Sequence, residues 1–144
     1  MENLDLIFEK LRYGVRHGND DFHTMTFSNI GNKGVTSRCV ILRDVDQEKR
    51  LLIFNTDIRS PKVKAIQKNP NTHCLFYHFK EKIQLRIITK SDVHYNNKLS
   101  KKAWEKTTLS SRKCYLTKYA PSQEIDTLSD GIPKHLCGRI PSKI

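Results

Sequence analysis

Residues 22–43 read "FHTMTFSNIGNKGVTSRCVILR", and the fold turns on this stretch. Over 22–30 apolar and polar residues alternate, with aromatic and β-branched types prominent, which predicts a strand. "GNKG" at 31–34 is a hairpin turn signal, and "VTSRCVILR" continues as a second strand. Upstream, Leu4, Ile7, Phe8, Leu11 and Val15 recur at helical spacing. They predict an amphipathic helix over 3–16, within an N-terminal segment 1–18 that Gly18 closes. Downstream, "DVDQEKR" reads as a polar turn and "LLIFNT" as a third strand, so three strands follow one another as a meander.

A helix over 60–68 comes next. Ser60 suits its N-cap and Pro61 its first helical position. "THCLFYHF" (72–79) reads as a largely apolar strand with both faces covered. "IQLRIITKSDVHY" (83–95) reads as a long alternating strand, with Ile83, Leu85 and Ile87 on one face and Gln84, Arg86 and Ile88 on the other. Two short helices are expected at 97–106, around Trp104, and at 109–118, which begins "LSSRKCYL". Weak periodicity and two prolines over 122–144 suggest a loosely packed or partner-dependent tail. With no repeat and no linker, 1–144 reads as a single domain. The order of elements is not a βαβ alternation. It predicts a mainly β fold with peripheral helices, a mostly antiparallel barrel of five or six strands.

Twenty-six basic residues against fifteen acidic ones leave a formal charge of +11. Nucleic acid, an acidic surface or a phosphorylated small ligand would each complement it. A hydrophobic fraction of 37% spread along the chain argues against intrinsic disorder. No apolar run approaches the roughly 20 residues of a membrane span, and "MENLDLIFEK" lacks the apolar core of a secretory signal, so the expected location is cytoplasmic. Cys39, Cys74, Cys114 and Cys137 are far apart and form no C-x-x-C pair. Buried, reduced thiols and no metal are the expectation.

The chain has no G-x-G-x-x-G loop, no Walker-type loop, no nucleophile elbow and no H-E-x-x-H. It does have cations where a helix dipole disfavours them: Arg59, Lys62 and Lys64 surround the start of the helix at 60–68. Free N–H groups there, with Lys62 and Arg38, would suit an anion such as a phosphate.

Three spaced blocks, "RCVILR" at 38–43, "FNTDIRSPK" at 54–62 followed by Asn69-Pro70, and "IQLRI" at 83–87, resemble the FMN-binding core of the pyridoxamine 5′-phosphate oxidase-like family. The likeness extends to Trp104 and "LSSR" at 109–112, so it covers 38–112. It implies an FMN-binding split β-barrel that forms a homodimer, with FMN held at the subunit interface. It further implies an oxidoreductase acting by hydride transfer through flavin N5 on a small-molecule, possibly phosphorylated, substrate. Carried over by position, Arg38 and Lys62 correspond to phosphate ligands. Val40, Ile41 and Leu42 run along the flavin, and Arg43 faces the substrate. Asn55 and Thr56 meet the ring or ribityl region, and Ser60 opens the phosphate-binding helix. Gln84 meets the isoalloxazine edge, and Ser110 and Ser111 reach the cofactor from the other subunit.

The chain departs from the family at Pro61, where an arginine is common, at Asp57 for asparagine and at Ile83 for arginine. It ends at Ile144 without the arginine-bearing C-terminal segment of the true oxidases. FMN binding is therefore the stronger implication and oxidation of pyridoxamine phosphate the weaker. Two other readings remain open: a family member without tight cofactor binding, and a small basic barrel that binds single-stranded nucleic acid through Phe76, Tyr77 and Phe79.

Overall fold

The computed structural model describes residues 2–136. The chain divides into two compact units. One comprises Met1–Asn55 and Ala65–Asp92; the other comprises Thr56–Lys64 and the chain from Val93 onward.

In the first unit, helix α1 (Glu2–Arg16) is followed by a 3-10 turn at Asp21–His23. Strands β1 (Thr24–Gly31) and β2 (Gly34–Ile41) pair antiparallel around the two-residue loop Asn32-Lys33, with Gly31 opposite Gly34. Gly34 has φ 109°, a conformation that favours glycine in so tight a turn. Strand β5 (Asn71–His78) pairs with the free edge of β1, and β6 (Ile83–Lys90) pairs with β5, both antiparallel. The sheet order is β2-β1-β5-β6. Strands β3 (Asp44–Asp46) and β4 (Leu51–Ile53) form a separate antiparallel pair.

The period-2 pattern sets the core. Met25 and Phe27 on β1, with Cys74 and Phe76 on β5, turn inward, joined by Phe8, Leu11, Phe22 and Leu42. Phe22 meets Phe76 edge to face at 5.8 Å. Gly14 lets α1 lie against the 3-10 turn: a Cβ there would stand 2.6 Å from the Phe22 carbonyl carbon. Its place inside a helix, worth about 1 kcal/mol less than alanine, is the cost of that approach.

The second unit holds the start of α2 (Pro61–Lys68), then α3 (Lys98–Lys106) and α4 (Leu109–Arg112). Asn97 and Ser100 form a reciprocal capping box at the start of α3, and Thr108 caps α4. Trp104 packs on Tyr115 at 5.7 Å and under the Arg112 guanidinium at 4.8 Å.

Several expectations need correction. The six antiparallel strands of the described residues pair as two sheets, of four and of two. "DVD" is strand β3 rather than turn. The reversal lies at 47–50, where Asp46 Oδ1 accepts the Lys49 N–H at 2.9 Å and Arg50 takes φ 53°. Phe22 sits in the 3-10 turn ahead of β1, because Asp20 caps that turn through the Phe22 N–H. β6 ends at Lys90, short of Tyr95, and helix 109–118 stops at Arg112 before a 3-10 turn. Of the cysteines, Cys74 is buried, which raises its thiol pKa, whereas Cys39 and Cys114 are exposed; Cys137 lies outside the described residues. So does 137–144 of the expected tail; up to Leu136 that tail carries one 3-10 turn, at Lys134–Leu136. No helix among the described residues is long and apolar enough to cross a membrane.

Candidate functional site

The segment Thr56–Lys64 explains the cations at the start of α2. Asp57 Oδ1 accepts the Arg59 backbone N–H at 2.8 Å, and the Ser60 N–H donates to the Asp57 carbonyl at 3.0 Å. The Arg59 guanidinium folds back on the same carboxylate, with Nε 3.1 Å from both oxygens and Nη2 2.7 Å from Oδ2. These bonds hold the Asp57 carboxyl below its ordinary range. Nη2 also donates to the Thr117 carbonyl at 3.1 Å. Arg59 thus builds the loop.

Lys62 does something different. Its Nζ turns back before the helix and donates to Thr56 Oγ1 at 2.7 Å and to Ser60 Oγ at 2.9 Å. Ser60 is buried, while Thr56 and Lys62 are half-buried. An ammonium and two hydroxyls therefore converge at the first turn of α2, where Pro61 has no N–H and the Val63 N–H donates to the Ser60 carbonyl at 3.0 Å. With their rotatable hydrogens, these donors suit a phosphate.

Arg38, in the other unit, is committed to β1. Register places it opposite Phe27, on the inward side of β2. Its Nη1 donates to the side-chain oxygen of Asn29, and Nη2 donates to Thr36 Oγ1 at 2.8 Å. Nη1 also lies 3.5 Å from the Phe27 carbonyl and 3.3 Å from that of Thr36. Burial lowers the guanidinium pKa from its usual value. Asn29 is 2% exposed, and nothing in the sequence reading singled it out. The available signal is its inward position in the series Met25, Phe27, Asn29. Arg38→Ala should therefore destabilise the fold by about 1–3 kcal/mol, because it strips a charged donor from a buried amide. Urea unfolding checks this, and an unchanged midpoint would remove the structural role.

The other positions are placed as follows. Val40 and Ile41 are half-buried on β2, whereas Leu42 is wholly buried, its N–H donating to the His23 carbonyl at 2.9 Å. The Arg43 N–H donates to Ile53 at 2.7 Å and so links the end of β2 to β4. Asn55 is half-buried at the end of the first unit's opening segment. Gln84 and Arg86, which share one face of β6, are both exposed in this chain. Ser110 is exposed on α4, and Ser111 is held to the Thr108 cap through its N–H at 3.3 Å and its hydroxyl at 3.1 Å. The structure brings Thr56, Ser60 and Lys62 together.

A family model described as pyridoxamine 5′-phosphate oxidase, FMN-binding domain, matches residues 8–95. The chain belongs to that family. The match spans the three blocks that carried the resemblance and stops before Ser110 and Ser111. In fold, this member of the FMN-binding domain family is similar to the crystal structure of a pyridoxamine 5′-phosphate oxidase-related, FMN binding protein from Nostoc punctiforme. The TM-score is 0.68 at 18% identity, over 85% of this chain and 66% of that one. The chain thus spans just under two thirds of that protein's length. No curated protein matches the sequence.

Proposed function

We propose that this chain is an FMN-binding flavoprotein that works as an oxidoreductase on a small molecule and assembles as a homodimer. The observation that carries the reading is the convergence of the Lys62 ammonium with the Thr56 and Ser60 hydroxyls at the start of α2. These residues would hold the FMN phosphate: Lys62 balances its charge, and the Thr56 and Ser60 hydroxyls donate to its oxygens and fix its orientation. Asp57 and Arg59 fix the loop that presents them. Bound FMN would supply hydride transfer at its N5, which demands no protein acid or base. The ring contacts at Gln84, along Val40–Arg43, and from Ser110 and Ser111 rest on the family pattern.

Ile30, Val35, Tyr77 and Ile88 leave exposed apolar surface on the outward side of the four-stranded sheet, which a second copy would cover. The nucleic-acid reading has less support. Phe76 is buried in the core, so the strand does not present a row of stacking rings.

The deciding measurement is the visible absorbance of the purified protein after FMN is added and the excess removed by gel filtration. A stoichiometric flavin spectrum that persists is the expected result. Absence of retained flavin at high protein concentration would sink the proposal and leave the fold untouched.

A further inference from the structure

The excess positive charge of this chain is unevenly placed. Thr56–Lys64 and the chain from Val93 onward hold thirteen basic residues against five acidic ones, a net +8 of the total +11. Within this unit the charge gathers on α3. Lys98, Lys101, Lys102 and Lys106 are all exposed, while Ser100, Ala103 and Trp104 are half-buried on the opposite side of the helix. Lys98, Lys102 and Lys106 stand four residues apart, so they form a row along one face, rising about 6 Å per step. Lys101 flanks that row.

An ordinary solvated helix of this composition carries acids in its first turn and pairs its lysines with carboxylates three or four residues away. α3 has no acid in its first turn. Glu105 has the right spacing from Lys101 and Lys102 but pairs with neither, and Lys98, Lys101 and Lys102 have no carboxylate partner among the described residues. These three lysines instead line an open groove of about 570 Å³, together with Asn96, Asn97 and Glu105. The Asn97 side chain accepts the Ser100 N–H and its carbonyl accepts the Lys101 N–H. An anion in the groove would therefore be held by lysine side chains rather than by the helix backbone. Immediately before the groove, Tyr95 keeps 60% of its surface exposed, so its ring is available to a ligand.

We propose that the exposed face of α3 binds single-stranded nucleic acid. A row of cations at even spacing matches a strand whose negative charge repeats along its length. The lysines meet successive phosphates as mobile point charges, and Tyr95 gives an unpaired base a ring to stack on. Phosphate contacts carry no sequence information, so the surface discriminates single strand from duplex rather than one sequence from another. A membrane is a poorer match. Leu99 is the one exposed apolar side chain of α3, so the helix has no apolar stripe to insert. This surface is distinct from β5, whose Phe76 is buried, and it does not rest on the flavin reading.

Fluorescence anisotropy of a labelled oligothymidylate of about 20 nucleotides, titrated with the full chain over a range of salt concentrations, tests the proposal. Joint replacement Lys98→Gln, Lys101→Gln and Lys102→Gln should weaken binding about tenfold or more at low salt. The slope of log affinity against log salt should become shallower by about 2, since each phosphate neutralised on a single strand contributes about 0.7. The replaced lysines are exposed and unpaired, so this variant keeps the fold. Replacing Lys33, Lys68 and Lys80 of the other unit by glutamine removes the same charge and should change affinity less than about twofold. Tyr95→Ala should weaken the oligothymidylate about fivefold or more, while leaving affinity for heparin, a polyanion without bases, unchanged. Equal losses in the two triple variants would reduce the effect to diffuse attraction by net charge and overturn the site. Absence of binding by the wild type overturns it as well, and so does a duplex bound as tightly as the single strand. Wild-type affinity in Tyr95→Ala would remove nucleic acid as the occupant. Lysine-dependent binding of phosphatidylserine vesicles without binding of the oligothymidylate would assign the face to a membrane instead.

Discussion

Replacing Phe27 by alanine should lower stability by about 3–5 kcal/mol and shift the urea midpoint with little change in denaturant slope. Phe27 has no exposed surface and lies mid-strand on β1, opposite Arg38 of β2 on one side and Cys74 of β5 on the other. Its ring meets Phe54 at 4.8 Å, and the Arg38 guanidinium stands 6.0 Å from its centroid. Truncation removes the transfer energy of the ring and leaves a void that the neighbours cannot easily fill. A strand hydrogen-bonded along both edges has little freedom to collapse inward. Phe27→Leu, which keeps much of the volume, should cost clearly less. Set against a total of about 5–15 kcal/mol for a folded domain, the alanine loss is large. A shift equivalent to less than about 1 kcal/mol would mean that the sheet repacks, and Phe27 would no longer count as its anchor.

The parts of this fold that are legible in the sequence are those set by local period and turn chemistry. Alternation through Met25, Phe27 and Asn29 gives β1, and "GNKG" gives the hairpin, because a two-residue loop fixes the register from Gly31 opposite Gly34 outward. Counting along that register places Arg38 beside Phe27 and Asn29, which the family pattern alone, with its phosphate assignment, does not suggest. β3 is hidden for a different reason. A strand of three residues with aspartate at both ends shows no apolar period, and its pairing with Leu51–Ile53 is a tertiary fact. Gln84 and Arg86 show a further limit. Period 2 states which residues share a face but not whether that face is covered, and in this chain it is open.

The same limit applies at α2. Sequence places Arg59, Lys62 and Lys64 at the wrong end of a dipole, and a single explanation for all three is natural. The structure separates them. Arg59 is neutralised by Asp57, two residues before it, and Lys64 is exposed. Lys62 alone reaches back over Thr56 and Ser60. A flexible four-carbon stem leaves that choice to the acceptors around it, so spacing could not show it.

Lys62→Ala should weaken FMN binding roughly ten- to hundredfold, the equivalent of one or two charge-assisted hydrogen bonds at about 1.5–3 kcal/mol in total. The loss has a specific cause. Without the ammonium, the Thr56 and Ser60 hydroxyls still face the phosphate, but no full positive charge offsets its own. Lys62→Arg should recover part of the affinity, since charge is kept while the planar fork cannot meet both hydroxyls as the ammonium does. Lys64→Ala should change little, because its exposed charge is screened by water and salt. Arg59→Ala should act through the loop, lowering thermal stability more than its removal of charge alone would suggest, because the Thr117 tie goes with it. Titration of FMN into each variant, followed by quenching of flavin fluorescence, separates these outcomes. Equal affinity in Lys62→Ala and wild type would move the phosphate away from α2. A loss as large in Lys64→Ala as in Lys62→Ala would reduce the site to diffuse attraction by a basic surface.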